Sequence, residues 1–214
     1  MEKAAERLKG ILEERARLLA PEIQRRLRLA SQVVIFGSFA ACVETRSSDL
    51  DVFCVGEYRT HFKTPAIEIL ILPEYDLYSD LWLGSELASH ISSYGIPLDS
   101  RPDWFGHAAV TSAAADRKER RINAYARSLE MYWHGLGSGA KYRYEIKIRR
   151  ELQRLQLLRN GEPVPPTLLL DRKIELLRNR VAAPNTGAPD SLEGRFRTIF
   201  AGITGTGARR IECV

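Results

Sequence analysis

The sequence predicts an α+β protein: a small mixed β-sheet with flanking helices, followed by a helical C-terminal subdomain. Three observations carry this. The short apolar runs of strand length fall in the first half of the chain. Helical spacing of leucine and isoleucine precedes them and dominates the second half. The charge also changes sign. Val33 to Ser100 holds ten acidic and three basic residues, whereas Arg117 to Arg159 holds twelve basic and four acidic ones. Acidic clusters in a cleft hold cations and basic surfaces attract phosphates, so a ligand made of metal and polyphosphate needs both.

Residues 3–19 read as a helix, with Leu8, Ile11, Leu12 and Leu19 near one face. Pro21 suits the first turn of a second helix reaching about Ala30. Val33 to Phe36 is a buried strand running into a Gly37-Ser38 turn. Leu50 to Val55 alternates and is rich in strand formers, and Ile67 to Leu72 is a third strand between Pro65 and Pro73. Residues 76–95 read as one helix with Leu77, Leu81, Leu87 and Ile91 in the core, and Pro97, Pro102 and Gly106 mark a boundary. Residues 108–134 form one long helix or two, and a glycine-rich break separates them from a helix over 141–159. A last helix runs from Pro166 to Arg180, and 181–214 is an irregular tail. The expected organisation is therefore 1–105 as the core with its N-terminal helices, 106–180 as a helical subdomain, and 181–214 as tail.

The 214 residues carry a net charge of +5 and an ordinary globular balance of 44% hydrophobic and 28% charged residues. That excludes a disordered chain, a collagen-like fibre and a disulfide scaffold. No apolar run approaches the ~20 residues of a membrane-spanning helix, and Met1 to Arg17 is charged and amphipathic rather than a secretory leader. Cys42, Cys54 and Cys213 are too few and too scattered for a disulfide framework or zinc site. The expectation is a cytoplasmic protein with reduced thiols and no membrane partner.

One stretch carries chemistry. A strand delivers Gly37-Ser38, whose backbone N–H groups and hydroxyl suit a phosphate. Some ten residues on, Ser48 is followed by Asp49-Leu50-Asp51 at a strand start. Side chains alternate with period two, so Asp49, Asp51 and Phe53 share one face. Adjacent carboxylates repel unless a cation or proton relieves them, and hard oxygen donors suit Mg²⁺. Glu68, between Ile67 and Ile69, supplies a third acid if its strand neighbours the second. An acid in that setting is costly to bury unless paired or metal-bound.

This arrangement resembles the DNA polymerase beta-type nucleotidyltransferase superfamily, including its minimal and antibiotic-modifying branches. The resemblance rests on Gly37-Ser38, Ser48, Asp49-x-Asp51 and Glu68 and covers roughly residues 30–75. Ala41 and Cys42 stand where the minimal branch often has Arg-Gly. The resemblance implies a Mg²⁺-dependent enzyme that moves a nucleoside monophosphate from a nucleoside triphosphate to a hydroxyl acceptor, releasing pyrophosphate. Asp49, Asp51 and Glu68 would bind two Mg²⁺ ions, Gly37, Ser38 and Ser48 would hold the nucleotide, and Glu68 would be a candidate base. The acceptor is a small molecule, a protein side chain or an RNA end. The alternative is a module that binds a nucleotide or partner without turnover, as within a toxin–antitoxin pair.

Arg143, Lys147, Arg150 and Arg154 recur as one helical stripe, read either as a solvated face or as a wall for phosphates with Lys147 a nucleotide contact. His61 falls in the stretch between the second and third strands, a surface position that could approach the site. Trp82, Trp104, Tyr132 and Trp133 are core by default.

Overall fold

The structure is a computed structural model and describes residues 2–172. The tail expected over 181–214 and the end of the helix expected from Pro166 to Arg180 lie outside the described residues. The chain is α+β, built on a five-stranded mixed sheet. The strands are β1 (Gln32–Phe36), β2 (Leu50–Val55), β3 (Thr60–Lys63), β4 (Ile67–Leu72) and β5 (Ile96–Pro97), in the spatial order β3-β4-β2-β1-β5. β2 and β4 are parallel, and every other pairing is antiparallel.

The three central strands are the three apolar runs, and alternation divides their side chains between two layers. On one face, Leu50, Val52, Cys54, Ile67, Ile69 and Ile71 pack against Leu8, Leu12 and Leu19. These last residues come from α1 (Glu2–Ala16) and the turn leading to α2 (Pro21–Leu29). On the other face, Val34, Phe53, Val55 and Leu72 meet Leu77, Trp82, Ile91 and Trp104. Phe53 stacks on Trp82 with centroids 5.2 Å apart and meets Trp104 edge-on at 5.5 Å. Trp82 and Trp104 are therefore core, whereas Tyr132 is exposed.

Several expected elements differ. The first helix ends at Ala16 rather than residue 19. The continuous helix expected over 76–95 is instead three: α4 (Glu74–Leu77), α5 (Asp80–Leu83) and α6 (Glu86–Tyr94). The Ser79 and Ser85 hydroxyls accept from the Trp82 and Ala88 backbone N–H groups and start α5 and α6 as N-caps. These breaks turn Leu81 outward, to 68% exposure, instead of into the core. The proline boundary contains β5, whose Pro97 is tolerated because the strand lies at the sheet edge. β3 was not expected at all.

Beyond a short 3₁₀ turn at Asp103–Gly106 come α7 (Ser112–Tyr132) and α8 (Ser138–Arg159), with α3 (Gly37–Ala40) lying earlier, directly after β1. Ala115, Ile122, Leu155 and Leu158 form the core of the α7–α8 pair. A further helical stretch covers 167–172.

Candidate active site

The site grows out of one cross-sheet row. Phe36 is opposite Asp51, Asp51 is level with Glu68, and Glu68 is opposite Lys63. Neighbouring strands lie about 4.8 Å apart, so side chains of one row on one face are neighbours. Asp49, just ahead of β2, shares the face of Asp51. Carboxylate oxygens of Asp49, Asp51 and Glu68 all come within 4.8 Å of one another.

β1 ends where β2 begins, which brings the Gly37-Ser38 turn against Asp51. Gly37 has φ +69°, and a Cβ there would lie 2.0 Å from Asp51 Oδ2. Only glycine fits that corner. Arg15 of α1 stitches the starts of the two acid-bearing strands, donating to the carbonyls of Ser48 and Ala66. Ser48 is also tied into its own loop: its hydroxyl accepts from the Thr45 N–H at 2.9 Å.

The electrostatics divide the three acids. Burial, and after it the charges of Asp49 and Glu68, push the Asp51 carboxyl from 3.8 up to about 7 against the pull of Lys63. For Glu68, burial raises the pKa, but hydrogen bonds from Lys63 and His61 outweigh it and the net shift is downward. Lys63 donates to Glu68 and lies 3.5 Å from Asp49, and His61 Nε2 is 2.8 Å from Glu68 Oε1. The hydrogen bond to Glu68, the largest cause, keeps the Lys63 ammonium charged above its usual range.

A cavity of about 720 Å³ opens beside this row, lined by residues of the sheet and of α6, α7 and α8. Gly37, Ser38, Ser48, Asp49 and Asp51 line it. Arg117, Lys118 and Arg121 of α7, Arg154 of α8 and Glu86 of α6 line it as well. Lys118 is buried and held by Glu86 at 2.7 Å and Glu151 at 2.9 Å. Arg117 and Arg121 are one turn apart on α7 and form no ion pair among the described residues. Val164 to Leu168 closes one end, fixed by His90 Nδ1 donating to the Val164 carbonyl at 2.6 Å.

Of the residues singled out in the sequence, Gly37, Ser38, Ser48, Asp49 and Asp51 meet at the cavity. Glu68 meets the two aspartates through the strand row. Lys147 does not join them: its ammonium lies 4.6 Å above the Tyr125 ring, away from the cavity lining. Two other members of its stripe are engaged with neighbouring side chains, Arg150 gripping Asp171 with two 2.6 Å bonds and Arg154 bonding Glu151 and Thr167. Sequence reasoning passed over Lys63, Arg117 and Arg121. The polar–apolar alternation of Thr60-His61-Phe62-Lys63 before the Thr64-Pro65 turn was the available signal for Lys63. The Arg117-to-Arg121 basic run was the signal for the other two.

Three carboxylates converging from two strands are a hard-oxygen donor set that fits a divalent cation such as Mg²⁺. Burial is the main reason the Asp51 carboxyl is raised, and the charges of Asp49 and Glu68 add to it, so a bound cation would favour its ionised form. Among the described residues no helix is long and apolar enough to cross a membrane.

No protein-family model matches the chain, and no curated protein matches it. Among solved structures it is similar to a nucleotidyltransferase-like protein from Exiguobacterium sibiricum 255-15, at 18% identity and a TM-score of 0.36. The likeness covers 96% of this chain and 73% of that one.

Proposed function

We propose that this protein is a Mg²⁺-dependent nucleotidyltransferase that moves a nucleoside monophosphate from a nucleoside triphosphate to a hydroxyl acceptor. The observation that carries the reading is the meeting of three carboxylates, two of which line a cavity together with the glycine-serine turn and four basic side chains of α7 and α8. Asp49, Asp51 and Glu68 would hold the metal. When bound there, Mg²⁺ supplies Lewis-acid chemistry: it offsets phosphate charge and lowers the pKa of an acceptor hydroxyl.

The chain's own residues then have distinct tasks. The Gly37-Ser38 turn presents backbone N–H groups and a hydroxyl to phosphate oxygens. Arg117 and Arg121, neither of them in an ion pair among the described residues although Arg121 feels the charge of Glu151, line the same cavity and neutralise the triphosphate. Lys118 is committed to Glu86 and Glu151, so it shapes the wall rather than grips the ligand. In the reaction, the acceptor oxygen bonds to the α-phosphorus and the bond from that phosphorus to the bridging oxygen breaks. Pyrophosphate leaves with the electron pair, and the hydroxyl proton passes to a carboxylate of the triad. The acceptor class is a small molecule, a protein side chain or an RNA end.

The test is transfer of label from each α-labelled ribonucleoside triphosphate, with Mg²⁺, into protein, RNA and small-molecule fractions of a cell extract. Label entering one fraction, and absent with the Asp49→Ala/Asp51→Ala double variant, supports the reading and names the acceptor class. Equal labelling by wild type and double variant contradicts it.

A further inference from the structure

The cross-sheet row ends on a lysine that takes no part in the transfer chemistry. We propose that Lys63 is a resident counter-cation of the acidic triad, and that it makes divalent-metal binding depend on the nucleotide. The proposal rests on the nucleotidyltransferase reading of the triad.

Register places the residue. Lys63 is directly opposite Glu68 in the β3–β4 ladder, so both side chains leave the sheet on the face that carries Asp51. Its ammonium donates to Glu68 and stands 3.5 Å from Asp49, bridging two of the three acids. No other cation among the described residues reaches the cluster in this way. Arg15 is committed to backbone carbonyls, and Arg26 to Glu22 and Thr60. His61 adds a hydrogen bond to Glu68 but not to the aspartates.

The ammonium and a metal ion compete for the same oxygens and repel each other at such distances. Binding of bare metal therefore requires Lys63 to give up its carboxylates for water. Binding of metal together with a triphosphate does not, because phosphate oxygens offer the ammonium a new anionic partner. A lysine suits the exchange: it is a point charge on a flexible stem, and this one is on an edge strand with 57% of its side chain exposed. The acids thus stay compensated in the empty site, and metal and nucleotide enter together.

The experiment is titration of Mn²⁺ into the full chain at neutral pH, followed by calorimetry, with and without a non-hydrolysable nucleoside triphosphate analogue. Wild type, Lys63→Met, Lys63→Gln and Lys63→Arg are compared, with urea unfolding as the check on fold. Without analogue, Lys63→Met and Lys63→Gln should bind Mn²⁺ roughly tenfold more tightly than wild type, and Lys63→Arg should match wild type. With analogue, wild-type affinity should rise to meet that of Lys63→Met. Equal Mn²⁺ affinity of wild type, Lys63→Met and Lys63→Gln without analogue overturns the role of Lys63 while leaving the triad as a metal site. Failure of all four proteins to bind Mn²⁺ under either condition overturns the metal reading itself, and the role of Lys63 with it.

Discussion

Replacing Asp51 by asparagine should make the metal-free protein more stable while weakening its response to metal and nucleotide. In the folded chain the Asp51 carboxyl titrates at about 7 instead of 3.8, mainly through burial and then through Asp49 and Glu68. An acid whose folded pKa is raised keeps its full stability below its unfolded pKa and loses it as pH rises through the folded one. The loss therefore accumulates between pH 3.8 and about 7. Three pKa units at 1.36 kcal/mol each give about 4 kcal/mol above that window. Remaining solvent contact and the imperfect hydrogen bonding of an amide reduce the gain from Asp51→Asn to about 2 kcal/mol. For a chain of this size that is a rise in Tm of roughly 4–8 °C. The assay is thermal unfolding of both proteins in EDTA at pH 8 and pH 4, then at pH 8 with Mg²⁺ and the analogue named below. Asp51→Asn should be the more stable in EDTA at pH 8 and nearly equal to wild type at pH 4. Mg²⁺ added together with a non-hydrolysable nucleoside triphosphate analogue should raise the Tm of wild type more than that of the variant. A variant less stable than wild type in EDTA at pH 8, or a stability difference independent of pH, would refute the electrostatic reasoning.

Other substitutions separate the parts of the site. Gly37→Ala forces a Cβ to 2.0 Å from Asp51 Oδ2 at a positive φ, so urea unfolding should show a loss of about 2 kcal/mol or more and Mn²⁺ binding should fall. Lys118→Met removes the buried cation between Glu86 and Glu151, leaving Glu151 only its bond from Arg154, and should cost about 3 kcal/mol by urea unfolding. Arg117→Ala and Arg121→Ala should leave stability within about 0.5 kcal/mol of wild type while weakening nucleotide binding and flattening its dependence on salt. Lys147→Ala, which removes a cation seated on Tyr125, should leave nucleotide affinity unchanged in the same titration.

The parts of the fold that were legible in the sequence are those whose local signal agrees with their burial. β1, β2 and β4 are apolar runs bounded by turn residues, and their central positions are almost fully buried. β3 was missed because an edge strand of four residues, exposed at every second position, carries too little apolar pattern to declare itself. That omission hid Lys63 from the site and left His61 a loop position that could approach it, since their place beside Glu68 depends on the β3–β4 hairpin. The split of residues 76–95 into three helices was written in Ser79 and Ser85, but the leucine spacing masked it. Asp49, Asp51 and Glu68 were legible as a set because alternation and one assumption, that their strands are neighbours, suffice to gather them. The basic side chains of the cavity were not. The helical stripe through Lys147 does lie on one helix, yet which of its members meets the cavity depends on how α7 and α8 pack. That packing turns Arg154 toward the cavity and Lys147 toward Tyr125.

The central claim is that Asp49, Asp51 and Glu68 hold a divalent metal while the Gly37-Ser38 turn and the α7 arginines hold a triphosphate. The most direct measurement is anomalous diffraction from crystals grown with Mn²⁺ and a non-hydrolysable nucleoside triphosphate analogue. The account predicts a manganese peak among the three carboxylates, with triphosphate density between Ser38 and Arg117. Manganese absent from that cluster, with the nucleotide bound elsewhere or not at all, would contradict it.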